Sequence, residues 1–115
     1  MPEPLIYKIC TAEEWAEAER QGKFTGSAVD LADGFIHFST ARQVAETARR
    51  HFAGQAGLVL VAVDTQKLPT ELRWEKSRGG DMFPHLYTAL PTAAATEVIP
   101  LTLENGVHHF PETLR

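Results

Sequence analysis

The sequence predicts an α+β domain, and three observations predict it. Two strand–helix units open the chain, "LIYKIC" with "TAEEWAEAERQG" and "GFIHFS" with "TARQVAETARRHFAG". Mostly strand-type runs follow, which suits segregated α and β regions better than the regular alternation of a doubly wound sheet. Neither G-x-G-x-x-G nor G-x-x-x-x-G-K-S/T occurs, so the common dinucleotide and P-loop fingerprints are absent.

The elements follow from local signals. Residues 5–10 form a short β-type run. Thr11 then serves as N-cap with Glu14 in the boxed position and Gly22 just past the helix end. Ala12, Trp15, Ala16 and Ala18 supply the apolar face. "KFTGSAVDLAD" reads as a polar loop, longer than a tight connection needs. "GFIHFS" is the second strand. Its helix is expected to start from Thr40 as cap, with Gln43 boxed, Gly54 as stop, and Val44, Ala45, Ala48 and Phe52 as the buried stripe. "GLVLVAVD" is apolar throughout and belongs at a sheet centre. "LRWEKS" is a weaker strand, and "SRGGDMFPHLYTALP" reads as a long loop rich in Gly and Pro. "TEVIPLTL" and "VHHF" close the chain as strands, with Pro100 marking an edge or a bulge.

Composition narrows the function classes. At 115 residues, with 43% hydrophobic and 23% charged residues, residues 1–115 read as a single globular domain. The longest apolar run is too short to span a bilayer, and no secretory leader pattern opens the chain. A single cysteine, Cys10, excludes an internal disulfide framework and fits a reducing cytosol. These features predict a cytoplasmic protein with no membrane association. A net charge of −4 without a basic block argues against a dedicated DNA binder. Arg49, Arg50 and His51 suit the C-terminal end of a helix.

Alternation decides the reading of "GFIHFST". In an extended backbone Ile36 and Phe38 point to the core, leaving Phe35, His37 and Ser39 on the other face. His37 is then either a half-buried histidine bonded to a backbone carbonyl or a group that meets a ligand. Ser39 and Thr40 stand where a strand meets a helix, where free N–H groups and the helix dipole favour an anion. Thr40 is equally suited to capping alone.

The second polar cluster is "WEKSRGGDMFPHLY". Glu75 and Arg78 are opposite charges close in sequence and suit a surface pair. His85 and Tyr87 share a face if extended, and Pro84 favours an extended Phe83 before them. The cluster reads either as a pocket wall or as an ordered loop packing Phe83 and Leu86 inward. No metal site is expected. His108 and His109 are adjacent and face opposite ways in a strand, and no ligand spacing supports them. Cys10 reads as an inert buried thiol.

The arrangement "IYKICTAEEW…G…F…GFIHFST", with "FPHLY" further on, resembles a small bacterial family known as domain of unknown function 952, over nearly the whole chain. That family is similar to an outlying branch of the ADP-ribosyltransferase-like fold, with RNA 2′-phosphotransferases as the nearest logic. The resemblance implies that His37 matches the second histidine of an H-x-H strand. It implies that Ser39 and Thr40 stand for a Ser-Thr pair on the nicotinamide side of a pocket. Tyr7 matches a first-motif tyrosine, and Lys8 stands where His or Arg is expected. Glu75 is the nearest candidate for a late-strand glutamate. The implied function is binding of a nucleotide or other phosphate-bearing small molecule, NAD or ADP-ribose in type. Tyr7, Lys8, Ser39, Thr40, Arg78 and Tyr87 would bind it, and His37, Glu75 and His85 would act if there is turnover. The alternative is a module that keeps the cleft without the reaction. Either form expects His37 and His85 in one cleft, with rings closer than about 10 Å, since groups acting on one ligand must both reach it.

Overall fold

The computed structural model describes residues 4–111 and residue 114, apart from the side chain of Arg78. Strand β1 (Leu5–Thr11) leads into α1 (Ala12–Gln21), then β2 (Lys23–Phe24), α2 (Ala28–Asp33), β3 (Ile36–His37) and α3 (Val44–His51). Six strands complete the fold: β4 (Leu58–Asp64), β5 (Leu72–Lys76), β6 (Met82–Leu86), β7 (Leu90–Pro91), β8 (Ala95–Glu104) and β9 (Val107–His109). All the strand pairings are antiparallel, in sheets ordered β1-β4-β8-β9, β3-β6-β5 and β2-β7. The architecture is mixed α+β, as the sequence predicts.

The principal sheet carries a core on each face. Ile6, Cys10, Val59, Val61 and Val63 join Trp15, Phe24, Ile36, Phe38 and Leu86 on one side. Tyr7, Ile9, Leu58, Leu60 and Ala62 meet Val44 and Ala48 on the other. This two-sided burial is why β4 is apolar at successive positions and occupies an inner place in the sheet. Pro100 pairs with Val59, while β9 pairs only with Thr102–Glu104, so the proline lies where β8 has one strand neighbour. The β8–β9 hairpin turns on Asn105 and Gly106, both with positive φ, as a two-residue primed turn requires.

The N-terminal helix follows its sequence signature. Thr11 Oγ1 accepts from the Glu14 N–H at 2.9 Å, Glu14 Oε1 accepts from the Thr11 N–H at 2.9 Å, and Gly22 closes the end with φ 80°. Its buried face is narrower than predicted: Trp15 and Ala18 are buried, while Ala12 and Ala16 are exposed. Other expectations also need correction, among them Ala45 of the expected α3 stripe, which is exposed, and the end of α3, which is capped at Phe52 and not at Gly54. The stretch 23–33 contains β2 and α2 rather than a loop alone. The stretch 77–91 contains β6 and β7, because Met82–Leu86 pair with β5, His85 and Leu86 pair also with β3, and Leu90 and Pro91 pair with β2. The third helix starts at Val44 with Gln43 as N-cap, not at Thr40. Gln43 does make the boxed contact that the sequence predicts, its Oε1 accepting from the Thr40 N–H at 3.0 Å, while its Nε2 donates to the Met82 carbonyl at 2.8 Å. Residues 41–43 thereby form a turn that ties the helix start to β6.

Among the described residues no helix is long and apolar enough to cross a membrane. His108 and His109 do diverge: His108 Nε2 donates to the Gln55 carbonyl at 2.7 Å, and His109 pairs with Glu104. Among the described residues no group of three or more His, Cys, Asp or Glu side chains is arranged to hold a metal ion. Cys10 is buried, and burial pushes its thiol up to about 12.

Candidate functional site

Antiparallel pairing of β3 with β6 sets His37 directly opposite His85. Cross-strand neighbours share a face, and the two imidazole centroids lie 5.5 Å apart at 67°. Phe35 packs against both rings, stacked on His85 at 4.2 Å and tilted to His37 at 4.6 Å. Ile36 and Phe38 are each 3% exposed and enter the core, so the alternation places the polar face of "GFIHFST" as the pattern requires.

Each histidine is held by a carboxylate. His85 Nδ1–H donates to Glu75 Oε1 at 2.8 Å, and the Tyr87 hydroxyl donates to the same oxygen at 2.7 Å. The hydrogen bond from His85, then that from Tyr87, holds the Glu75 carboxyl below its usual range. The same contact raises the Tyr87 phenol. His37 Nδ1–H donates to Asp30 Oδ1 at 2.6 Å, and its backbone N–H reaches the same oxygen at 3.1 Å. On the outer side His37 Nε2 meets Asp33 Oδ2 at 2.9 Å.

Asp30 is the hub of this region. It is 1% exposed and accepts from Lys8 Nζ at 3.0 and 2.8 Å and from the Ser27 N–H at 2.9 Å. Burial pushes its carboxyl up, but the His37 hydrogen bond and the Lys8 charge outweigh that and hold it well below the ordinary carboxylate value. Gly26 makes the hub possible. It has φ +122°, and a Cβ there would fall 2.9 Å from the Asp30 Cβ.

A cavity of about 350 Å³ opens beside the histidines, with Tyr7, Lys8, His37, Ser39 and His85 on its wall together with Arg42 and Thr47. The structure therefore brings five of the sequence-predicted residues to one void. Thr40, Glu75 and Tyr87 do not line it; Glu75 and Tyr87 stand behind His85. The Arg78 side chain lies outside the described residues.

Two expected roles change with these contacts. Lys8 is 4% exposed and neutralised by Asp30, so its charge is not free for a pyrophosphate. Ser39 does not present an open N–H: its amide and carbonyl both bond to Tyr7, at 2.9 and 2.8 Å, and its hydroxyl contacts Thr47 Oγ1 at 2.9 Å. The cation that sequence reasoning missed is Arg42. It reaches the cavity wall and, among the described residues, has neither a hydrogen bond nor an acidic partner, whereas Arg50 is bonded to Glu46 at 2.6 Å. Asp30 was also missed. Ser27 followed three residues later by Asp30, with Gly34 beyond, is a box-and-stop pattern that marks α2.

Comparison with known proteins agrees with the sequence resemblance at the level of family. The protein family described as "Protein of unknown function (DUF952)" matches residues 9–98. The chain belongs to this family. It is similar to protein CC0527 from Caulobacter crescentus, whose X-ray crystal structure shares 53% sequence identity over 91% of this chain and 93% of that one, with a TM-score of 0.88. The solution NMR structure of CC0527 matches at 53% identity over 90% of each chain, with a TM-score of 0.80. A double mutant of the same protein matches at 51% identity and a TM-score of 0.87, over 91% and 93% of the two chains. No curated protein matches the chain.

Proposed function

We propose that the cavity binds a phosphate-bearing nucleotide of the NAD or ADP-ribose type, in a cytoplasmic domain of ADP-ribosyltransferase-like fold. The observation that carries this reading is the cross-strand pair His37 and His85 on the wall of one void, with Arg42 beside it. A guanidinium without an acidic partner suits the doubly bonded recognition of a phosphate. The imidazoles offer further polar contacts, and Phe83 and Phe52 add aromatic surface to the wall for a base or sugar. The volume lies at the small end of the range for ligand pockets, roughly 300–1,000 Å³, so a dinucleotide would leave part of itself outside.

Calorimetric titration with NAD, ADP-ribose and 2′-phosphorylated RNA tests the reading. Binding of at least one is expected, weakened about tenfold or more by Arg42→Ala, because a charged hydrogen bond contributes about 1.5–3 kcal/mol. Failure of all three to bind at millimolar concentration removes the proposal.

A second reading is a binding module without ADP-ribosyl transfer. The position of Glu75 favours it: the carboxylate is engaged by His85 and Tyr87 and does not line the cavity. Transfer at a ribose C1′ calls for a carboxylate at the developing oxocarbenium. Binding without NAD consumption, unchanged by Glu75→Ala, is the outcome this reading expects.

A further inference from the structure

The two histidines are not equivalent. His85 is 5% exposed, donates from Nδ1 to Glu75, and makes no hydrogen bond from Nε2 among the described residues. Every buried side-chain nitrogen and oxygen among those residues has a partner, so Nε2 is not one of the buried atoms. His85 lines the cavity, and with Nδ1 carrying the hydrogen its Nε2 keeps a lone pair that no described residue engages. His37 faces a carboxylate from each ring nitrogen, Asp30 at 2.6 Å and Asp33 at 2.9 Å, an arrangement met by a ring with hydrogen on both. One wall therefore offers a proton acceptor and a proton donor, each oriented from behind by a carboxylate. Their separation lets both reach one small group through hydrogen bonds of about 2.6–3.2 Å.

We propose that His85 and His37 form a base–acid pair that cleaves ribonucleotide phosphodiesters by attack of the neighbouring 2′-hydroxyl. The proposal rests on the reading of this cavity as a site for a phosphate-bearing nucleotide. His85 Nε2 takes the proton of the 2′-hydroxyl, and the O2′–P bond forms. The bond from phosphorus to the departing 5′-oxygen breaks with its electron pair, and that oxygen takes the proton from His37 Nε2. The products are a 2′,3′-cyclic phosphate and a 5′-hydroxyl, and proton exchange with water restores both rings. No oxidant, reductant or second substrate enters. Arg42 meets the non-bridging oxygens. Asp33, whose side chain is 48% exposed, occupies the position at His37 Nε2 that the departing oxygen takes, and it swings outward when substrate binds. Glu75 and Asp30 are positioning residues, holding Nδ1 of each ring.

The test incubates the whole chain with a pool of ribodinucleoside monophosphates and with their 2′-deoxy counterparts, and follows cyclic phosphate by phosphorus NMR. The ribonucleotides are expected to be cleaved and the deoxy compounds to survive, a comparison that needs no variant. His85→Asn, whose amide can still donate to Glu75, is expected to slow cleavage by about 10²–10⁴-fold, and so is His37→Asn. Glu75→Gln, which keeps the acceptor oxygen but not the charge, is expected to lower kcat with KM unchanged. Binding of ADP-ribose without any cleavage overturns the acid–base pair and leaves the binding proposal intact. Cleavage without ADP-ribose binding supports the pair and removes the NAD-type ligand. Cleavage of the deoxy compounds at the same rate, or unaltered cleavage by His85→Asn, overturns the mechanism.

Discussion

Replacing Asp30 by Asn should cost this protein a large share of its stability. The substitution keeps volume and one acceptor oxygen but removes the charge that faces Lys8 Nζ at 2.8 and 3.0 Å, with Lys8 only 4% exposed. Breaking one side of a buried ion pair costs about 3–5 kcal/mol, because the remaining charge has neither water nor counter-ion. A chain of this length has a total stability of about 6–17 kcal/mol, so the loss takes at least about a fifth of it. In urea unfolding followed by tryptophan fluorescence, a slope of about 1.5 kcal/mol/M turns that loss into a midpoint lower by about 2–3 M at unchanged slope. The double variant Lys8→Met with Asp30→Asn should recover part of the loss, since it removes the orphaned ammonium while an amide oxygen remains for the His37 N–H groups. A cost below about 1 kcal/mol for Asp30→Asn, the range of a solvent-exposed pair, would refute the assignment of Asp30 as the buried hub.

Acid should weaken the same contact. The folded Asp30 carboxyl lies below its unfolded value of about 4, so its contribution is present above that pH and is lost as pH falls toward the folded value. Denaturant midpoints measured between neutral pH and pH 3 should therefore fall less steeply in Asp30→Asn than in the parent; parallel curves would contradict this. Gly26→Ala should destabilise by about 1–3 kcal/mol, through left-handed backbone strain and the close approach to Asp30, read as a lowered thermal midpoint. Asp33→Ala should tighten ADP-ribose binding, because it removes an anion from beside His37; weaker binding by calorimetry would argue that Asp33 helps to hold ligand. Cys10 should resist alkylation in the folded protein at pH 8 and react once urea unfolds it, as mass spectrometry would record.

The parts of the fold legible in the sequence are those whose cause is local. The Thr11–Glu14 box, the Gly22 stop, the continuous apolar run of β4 and the alternation through Ile36 and Phe38 each depend on neighbours within one element. The short strands β2, β6 and β7 were hidden because a strand of two to five residues is defined by its distant partner, not by its own period. Helix α2 spans 6 residues, too few for helical periodicity to show. The candidate site divides in the same way. His37 and His85 stand out by composition and spacing, whereas Asp30 meets Lys8 across 22 residues and Gln43 meets Met82 across 39. Those long-range contacts turned Lys8 from a free cation into half of a buried pair and tied the start of α3 to β6.

The most direct test of the binding site is an NMR titration of ADP-ribose that follows the imidazole resonances of His37 and His85 together with the Arg42 guanidinium. The proposal predicts saturable shifts at all three with a single dissociation constant, and none at the exposed His109. Unmoved His37, His85 and Arg42 resonances at millimolar ADP-ribose would contradict it.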